Sequence, residues 1–413
     1  MNFEVDGSDM LPEKFQWKGM QSTQSMTMRT GIKIVLAALV CLFVVNYSTF
    51  IPESPKWQHV SNKLSSSFSH SEPVNSSARA LDELPESAAY STGSHQDIPN
   101  IIHYVQLLPN AKPQISFSFK QFLAIYGASV HLNPDKIYIH TNANASTIAR
   151  LQSSNEPKDW WTKAVLAIPH LQFNYVTYPE VAAVSGVEIK RIEHKSDFVR
   201  MEQLYEKGGV YMDTDVHPLR DFKDLRESGF ANIVGREIHY QVNNGVFMCR
   251  PGTALLDIWM REAHRVYDGG WTTASCKLLT TIANRLMGTP REVLIMDRVA
   301  FNPVSWYKND KTEMYSPHLD VKASTSEYTE VSESAVTDPY ARWKQGKTAA
   351  DWQLDLSTSY AIHATKEGPL VENFDNDFSP KYIFQRQSSF ARAVWPTAKL
   401  AKDAGWILDE HLQ

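Results

Sequence analysis

Short apolar runs alternate with segments of helical spacing from residue 98 to the C-terminal region. Compact apolar runs bounded by polar residues or glycine are typical of buried strands, whereas apolar residues three and four apart predict helices. The pattern predicts strands at residues 101–105, 136–140, 172–177, 210–212, 246–248 and 293–296, and helices at residues 117–126, 192–207, 254–266 and 276–287. This alternation predicts an α/β fold in which helices are layered on a largely parallel sheet.

One apolar segment near the N-terminus has a different character. Residues 34–51 carry no charged side chain, and their number is at the lower edge of the about 17–25 residues that span a bilayer as a helix. Lys18, Arg29 and Lys33 precede this segment, so the positive-inside rule places the N-terminal tail in the cytosol. A cleaved signal peptide would carry its charges close to the chain start, and a buried core helix would have amphipathic flanks. The sequence therefore predicts a single-pass type II membrane protein of the Golgi or endoplasmic reticulum, with everything after Pro52 in the lumen.

The remaining segments differ in composition, and this defines the predicted organisation. Residues 52–97 are rich in Ser, Pro, Asn and Glu without a sustained period, which is typical of a flexible stem. Residues 320–347 are polar and irregular, which predicts a surface excursion. The predicted order is a cytosolic tail (1–33), a transmembrane signal anchor (34–51), a flexible stem (52–97), one catalytic domain (98–395) and a C-terminal tail (396–413).

Overall charge and cysteine content add little but exclude one class of partner. The net charge is −5 and no basic block is present, so nucleic acid is not a predicted partner. Cys249 and Cys276 are the only cysteines after the anchor. In an oxidising compartment they either form a disulfide or remain two buried thiols, and the sequence leaves both readings open.

The segment that carries chemistry is Asp213-Thr214-Asp215. It follows a short apolar strand, which itself follows a helix that Gly208 or Gly209 can end in a left-handed conformation. Ligands of open α/β sheets bind outside the carboxyl ends of the strands. Two carboxylates at that position can hold a hard divalent cation, which would neutralise a diphosphate leaving group. A second D-x-D at residues 375–377 lacks a preceding strand and is predicted to be an ordinary turn.

Asp197 and Arg200 lie three residues apart and therefore on one face of the predicted helix. Two interpretations are open. The pair is either a surface ion pair of small energetic value, or a carboxylate and a guanidinium that project into one pocket and hold sugar hydroxyls.

This region resembles the D-x-D sugar-binding region of glycosyltransferase family 32, which includes fungal Golgi mannosyltransferases and α-1,4-galactosyl- and α-1,4-N-acetylglucosaminyltransferases. The matching residues are Ser196, Asp197, Arg200, Leu204, Gly208, Gly209, Tyr211, Asp213 and Asp215. Weaker similarity covers residues 99–105, where the family's opening strand would place the base of the nucleotide, residues 244–247, and residues 360–363.

The resemblance implies a GT-A type, Rossmann-like nucleotide-diphospho-sugar transferase fold that uses a divalent metal, usually manganese. It implies that Asp213 and Asp215 are catalytic and bind metal and nucleotide, with Asp215 the direct ligand, and that Asp197 and Arg200 position the donor sugar. It further implies roles for Asn243 or Asn244 towards donor or acceptor, for Tyr104 as a wall for the base or as a core residue, and for His363 towards the metal or diphosphate or as an ordinary buried histidine.

The expected reaction is the metal-dependent, retaining transfer of a hexose from UDP-galactose, UDP-N-acetylglucosamine or GDP-mannose to a hydroxyl of a glycan or glycolipid acceptor. Two features depart from the α-1,4-transferase pattern: residues 272–277 lack a Gly-Pro pair, and no tryptophan follows His363. A catalytically silent, membrane-bound binding protein is therefore an alternative. A phosphatase of the haloacid dehalogenase type is a weaker one, because its later acidic motif is not found.

Overall fold

The computed structural model describes residues 97–109, 114–153, 158–320, 352–365, 374 and 378–413. The predicted tail, anchor and nearly all of the stem lie outside these ranges, as do the second D-x-D and almost all of the predicted excursion at 320–347. Within the described ranges, no helix is long and apolar enough to cross a membrane.

Seven strands form the central sheet, in the order β3-β2-β1-β4-β7-β6-β8. The bounds are β1 (Ile101–Val105), β2 (Lys136–Thr141), β3 (Leu171–Tyr175), β4 (Gly209–Met212), β6 (Asn232–Arg236), β7 (Val242–Cys249) and β8 (Val293–Met296). All of these strands run in one direction except β7, which is antiparallel to both of its neighbours. The six predicted strands and the largely parallel sheet are therefore confirmed. Strand β3 starts one residue and ends two residues earlier than predicted, β7 starts four residues earlier, and β6 was not predicted.

The helices of the described residues are α1 (Phe119–Leu132), α2 (Ala145–Gln152), α3 (Trp160–Leu166), α4 (Ile192–Lys207), α5 (Lys223–Arg226), α6 (Ala254–Val266), α7 (Leu278–Leu286), α8 (Arg298–Phe301), α9 (Lys308–Tyr315), α10 (Pro380–Gln385) and α11 (Ser389–Asp403). The predicted helices at 192–207 and 254–266 have the observed bounds. The predicted helix at 276–287 differs, because a π turn at Thr273–Lys277 leads into α7.

The two faces of the sheet have separate cores, because successive side chains of a strand point to opposite faces. Val210 and Met212 of β4 join the larger core, whose helices include α1 and α11. Tyr211, between them in the sequence, joins the second core with residues of α4, α6 and α7. The sheet is therefore covered on both sides, as expected for a parallel sheet.

A two-stranded sheet beyond the end of β4 brings distant residues to the D-x-D segment. Strand β5 (Val216–Pro218) pairs antiparallel with β9 (Ala361–His363), and Val216 lies opposite His363. The amide of Ala364 donates a hydrogen bond of 2.9 Å to the carbonyl of Asp215. These backbone bonds fix His363 beside two carboxylates that are about 150 residues earlier in the chain.

Helix α4 ends at a pair of glycines with positive φ, of 63° at Gly208 and 109° at Gly209. A Cβ at Gly209 would lie 2.4 Å from the carbonyl oxygen of Ile101 and 2.9 Å from Nε2 of His103. The close approach lets β4 pair directly with β1 immediately after the helix ends. Both glycines are therefore required by the turn that leads to Asp213.

A buried hydrogen-bonded chain ties this turn to the first three strands. Nε2 of His103 donates to the Gly208 carbonyl at 2.8 Å, which leaves its Nδ1 to accept from Nε2 of His140 at 2.9 Å. Nδ1 of His140 accepts from Asn174 at 3.0 Å, and Asn174 also donates to Gln203 of α4. Each ring has one bare nitrogen, so both histidines are neutral. Burial lowers the pKa of His103 to about 4 and the pKa of His140 to about 2.

The predicted C-terminal tail at 396–413 is wrong. Its start falls within α11, and Thr397, Ala398 and Ala401 of that helix are buried, as is Ile407 beyond it. The apolar residues after 395 are few and far apart along the chain, so composition does not indicate that they belong to the core. Their helical periodicity nevertheless places them on one buried face of α11.

The cysteines are settled as two buried free thiols, at Cys249 and Cys276. Cys249 belongs to the core between the sheet and α4, where burial raises its pKa well above the usual value. The thiol of Cys276 lies 3.3 Å from Oδ1 of Asn244.

The substitution Gly209→Ala is expected to cost upward of about 3 kcal/mol of unfolding free energy, because it adds a backbone clash to an unfavourable φ. Gly186→Ala is the matched control, since Gly186 has a φ of +71° but no atom within 4 Å of its would-be Cβ. That control is expected to cost about 1 kcal/mol. Chemical denaturation of both variants measures the difference, and equal losses would contradict the proposed close-approach requirement.

The buried histidine chain predicts a loss of stability in acid. Above about pH 6.5 both rings are neutral in the folded and in the unfolded chain. Below that pH the unfolded chain binds protons that the folded chain does not bind, so the unfolding free energy decreases as the pH falls. This decrease ends at about pH 4 for His103 and at about pH 2 for His140, where the folded chain also binds the proton. His140→Gln keeps a donor towards His103 and removes one titration. Between pH 7 and 5 its unfolding free energy is expected to fall by about 2 kcal/mol less than that of the wild type, because one group no longer titrates in the unfolded chain. An unchanged pH dependence in denaturant titrations at several pH values would show that His140 is not buried in the neutral form.

Candidate functional site

A cavity of about 860 Å³ opens at the carboxyl ends of β1 and β4. This volume lies in the range of small-molecule and cofactor sites. Its walls include the predicted site residues Asp197, Arg200, Asp213, Asp215, Asn243, Asn244 and His363. The fold thus brings together every predicted site residue but one.

That exception is Tyr104, and its predicted role as a wall for the base is wrong. Tyr104 shares its face of β1 with Ile102, and both side chains are fully buried in the larger core. Val105, the next residue on the strand, points the other way and lines the cavity. Strand alternation therefore makes Tyr104 a core residue, which was the other reading of the sequence.

Asp213, Asp215 and His363 form a cluster that can hold a divalent metal. One ligand atom from each of them lies within 4.8 Å of the others. Nε2 of His363 is 3.3 Å from Oδ1 of Asp215 and 3.6 Å from Oδ2 of Asp213. Two carboxylate oxygens and one imidazole nitrogen form a donor set suited to divalent ions of intermediate hardness.

The histidine of this cluster is oriented by its second nitrogen. Nδ1 of His363 lies 3.3 Å from Oδ1 of Asn302, and the amide group of Asn302 donates to the carbonyl of Arg236 at 3.0 Å. Since the oxygen of Asn302 can only accept, Nδ1 carries the proton and Nε2 faces the carboxylates. A metal-binding histidine is commonly fixed in this way by a partner behind it.

The electrostatics of the cluster agree with a site built for positive charge. Burial alone would raise the pKa of Asp215, but His363 and then Lys120 hold that pKa well below its usual value. Burial acts to lower the pKa of His363, whereas Asp215 raises it, and the net direction is upward. Two carboxylates this close are thus compensated by neighbouring cations.

Gly245 leaves the space that the cluster needs. A Cβ at this position would lie 2.5 Å from Cε1 of His363 and 2.8 Å from both Oδ1 of Asn243 and Oδ2 of Asp213. Asn243 accepts a hydrogen bond from the Gly245 amide at 2.6 Å and donates to Glu237 at 2.8 Å. Gly245 and Asn243 therefore form the wall of the Asp213–Asp215–His363 cluster. We call these five residues the metal cradle.

Asp197 and Arg200 are a buried pair within the cavity wall, so the surface-pair interpretation is wrong. Nη2 of Arg200 is 3.3 Å from Asp197 and 3.1 Å from Asp213, and its guanidinium stacks 4.1 Å above the Tyr211 ring. The Tyr211 hydroxyl also donates to Asp213, at 2.6 Å. Arg200 and Tyr211 therefore hold Asp213 in one orientation.

Asp197 is held from its other side by Asn244, which donates to Oδ1 of Asp197 at 2.8 Å. Burial raises the pKa of Asp197 to about 6, although the charge of Arg200 acts in the opposite direction. Asp197 and Asn244 thus offer fixed polar atoms to a ligand on the wall next to the metal cluster.

Sequence reasoning missed Lys120. This residue is buried near the start of α1, with its Nζ 3.5 Å from Oδ2 of Asp215 and 4.7 Å from the centroid of the Phe378 ring. It also donates to the carbonyl of Ala364. The sequence did contain a signal for the burial of Lys120. This lysine lies one helical turn before Leu123 and Ala124 and therefore on the apolar face of the predicted helix.

Comparisons with known proteins agree with this site. A family described as a glycosyltransferase sugar-binding region containing a DXD motif matches residues 120–231. The chain is 26% identical over 314 residues to glucan organizing enzyme 1 of Cryptococcus neoformans var. grubii serotype A, and the match covers 72% of this chain and 70% of that enzyme.

Solved structures show more distant similarity. The PaToxG glycosyltransferase has a TM-score of 0.33 and 14% identity, over 47% of this chain and 71% of its own. The galactosyltransferase LgtC, in complex with donor and acceptor sugar analogs, has a TM-score of 0.32 and 11% identity, over 74% of this chain and 100% of its own. These values are too low to guide an assignment of fold or function.

Lys120→Met is expected to strengthen the binding of Mn²⁺ alone by roughly tenfold, because it removes a cation that competes for the Asp215 carboxylate. Calorimetric titration of the protein with Mn²⁺ in the absence of nucleotide measures this. Lys120→Arg keeps the charge and serves as the control, with an affinity near that of the wild type. Weaker Mn²⁺ binding by the methionine variant would contradict the competition.

Proposed function

We propose a donor class, a metal cofactor and a reaction type for this chain. The family match and the similarity to the cryptococcal enzyme identify the chain as a glycosyltransferase of the family-32 type. This identification confirms the resemblance found in the sequence. The proposed reaction moves a hexose from UDP-galactose, UDP-N-acetylglucosamine or GDP-mannose to a hydroxyl of a glycan or glycolipid acceptor. It depends on a divalent metal, proposed to be Mn²⁺, and retains the anomeric configuration.

The observation that carries this proposal is the position of the Asp213–Asp215–His363 cluster. It lies at the carboxyl edge of a sheet that is parallel except for one strand, and it opens into a cavity of about 860 Å³. This placement supports a GT-A type, Rossmann-like arrangement, in which a nucleotide binds beyond the strand ends.

A metal bound by Asp213, Asp215 and His363 would supply a positive charge for the departing nucleoside diphosphate. The chain adds its own positive charge at the same place, because Lys120 lies beside Asp215 and lines the cavity. Arg200 and Tyr211 keep Asp213 in a single orientation, so that little reorganisation is needed when the donor binds.

The sugar of the donor is proposed to lie against Asp197 and Asn244, whose polar atoms are fixed by their mutual hydrogen bond. The acceptor hydroxyl attacks the anomeric carbon from the face that the diphosphate leaves. The new carbon–oxygen bond forms as the bond to the phosphate oxygen breaks, and the hydroxyl proton passes to that departing oxygen. The configuration at the anomeric carbon is then retained.

The cellular setting is proposed from the sequence. The apolar segment at 34–51 and the basic residues before it support a type II anchor in the Golgi or endoplasmic reticulum membrane, with the cavity in the lumen. The name of the cryptococcal relative refers to glucan, which supports a saccharide chain as acceptor.

The test is a screen of UDP-galactose, UDP-N-acetylglucosamine, UDP-glucose and GDP-mannose for Mn²⁺-dependent binding and hydrolysis by the full chain in detergent. At least one donor is expected to bind and to be hydrolysed. Asp215→Asn is expected to reduce metal-dependent donor binding by about a hundredfold or more.

Asp135→Asn is the matched control, because Asp135 is exposed and does not line the cavity. It is expected to behave as the wild type. The proposal fails if no donor binds with Mn²⁺, and the role of Asp215 fails if its variant retains wild-type binding.

A further inference from the structure

The hairpin between β6 and β7 contains an unusual tight turn. The amide of Gln241 donates to the carbonyl of Ile238 at 3.4 Å, and both residues between them have positive φ, of 59° at His239 and 60° at Tyr240. Turns of this kind normally use Asn-Gly or a similar pair, because larger side chains are strained at positive φ. His239 and Tyr240 are therefore strained in this conformation.

Neither ring belongs to the hydrophobic cores that the described residues form. Tyr240 is 83% exposed, so its side chain contributes little to packing. Arg236 holds the turn in place by donating to the carbonyl of Tyr240 and, at 3.0 Å, to Asn284 of α7. Strain that is kept at the mouth of a cavity, without a gain in packing, points to a role in function.

Two further aromatic residues lie next to this turn. Nε2 of His239 is 2.9 Å from the hydroxyl of Tyr307, and their rings meet edge to face. Tyr307 is 51% exposed, and Trp306 before it lines the cavity and is half-buried. We call these four residues (His239, Tyr240, Trp306 and Tyr307) the aromatic rim.

The aromatic rim is continuous with the catalytic cavity. Ile238, His239, Gln241 and Trp306 line the same cavity as Asp213 and Asp215. Glu237, at the start of the turn, is hydrogen-bonded to Asn243 of the metal cradle. A ligand that projects from the metal cluster towards this hairpin would therefore meet the rim.

The strand order separates the rim from the place proposed for the nucleotide. Strands β4 and β7 lie between β1 and β6, so the ends of β1 and β6 are roughly 14 Å apart at the usual strand spacing. The base is expected beyond β1 and the metal cluster follows β4. The acceptor side of the metal is therefore the side of the β6–β7 hairpin.

We propose that the aromatic rim is a binding site for a saccharide chain, which holds a sugar ring of the acceptor next to the ring that carries the attacking hydroxyl. Sugar rings present apolar C–H faces and hydroxyl edges. The exposed rings of the two tyrosines and the half-buried ring of Trp306 offer flat apolar surfaces. The Tyr307 hydroxyl, His239 and Gln241 offer polar edges beside them. This inference rests on the proposed transfer to a saccharide acceptor and names the surface that selects a chain over a single sugar.

The test compares saccharides of different length on the full chain in detergent. The probes are a β-1,3-linked glucose tetrasaccharide and an α-linked mannose tetrasaccharide, each beside its own monosaccharide, with Mn²⁺ and UDP present. At least one tetrasaccharide is expected to bind more tightly than its monosaccharide by calorimetry, because only the longer ligand reaches the rim.

Tyr240→Asn is the informative variant, since asparagine suits positive φ and removes the ring. It is expected to raise the melting temperature, and to weaken tetrasaccharide binding by roughly threefold to tenfold without changing Mn²⁺-dependent UDP binding. Tyr240→Trp keeps a flat ring and is expected to restore the tetrasaccharide affinity. Tyr175→Ala removes an exposed tyrosine (58% exposed) at the end of β3, the edge strand on the far side of the sheet from the β6–β7 hairpin, and is the matched control, expected to change neither binding.

The outcomes separate this inference from the proposed function. Wild-type protein that binds UDP with Mn²⁺ but binds both tetrasaccharides no better than the monosaccharides overturns the aromatic rim as a chain-binding site and leaves the donor site standing. Unchanged tetrasaccharide affinity in Tyr240→Asn also overturns it. Absence of metal-dependent nucleotide or nucleotide-sugar binding in the wild type would instead refute the proposed function.

Discussion

The site depends on holding two carboxylates close together at the edge of a sheet. Asp213 and Asp215 repel each other, and a low-dielectric wall strengthens that repulsion unless positive charge lies nearby. The fold supplies it from three separate segments: Arg200 on α4 contacts Asp213, Lys120 on α1 lies beside Asp215, and His363 at the end of β9 reaches both. The charge balance of the site is therefore a property of the whole α/β domain.

Close approaches of the backbone also constrain the site. Gly209 allows β4 to lie against β1 directly after α4, and Gly245 leaves space beside His363 and Asp213. The neutral pair of His103 and His140 fastens the same turn to the first strands, at the cost of sensitivity to acid. Close packing of polar and glycine positions, rather than apolar burial alone, thus sets the direction in which the carboxylates point.

The hairpin between β6 and β7 has positive φ at bulky residues, whereas the turn before β4 has positive φ at glycines. Positive φ is tolerated there by His239 and Tyr240, which are poorly suited to it, instead of by glycine. An exposed ring held in a strained turn is unfavourable for stability, and natural proteins keep such features mainly where binding uses them. In the proposed enzyme, the rigid cradle serves the donor and the exposed aromatic rim serves the acceptor.

The sequence by itself determined six of the seven strands of the central sheet and the bounds of two helices (192–207 and 254–266), because periodicity encodes these features. The Asp197, Arg200, Asp213 and Asp215 constellation was also predicted from the sequence, but through its resemblance to a known motif, since spacing alone left the Asp197–Arg200 pair open. It did not determine Lys120, whose role depends on contact with Asp215 across 95 positions, nor the full burial of Tyr104, which follows from the face of β1 that meets the larger core. It also placed the C-terminal boundary inside α11, because burial of that helix depends on the rest of the domain. Only the tertiary structure decided these points, since contacts between residues distant in sequence fix which side chains meet and which face is covered.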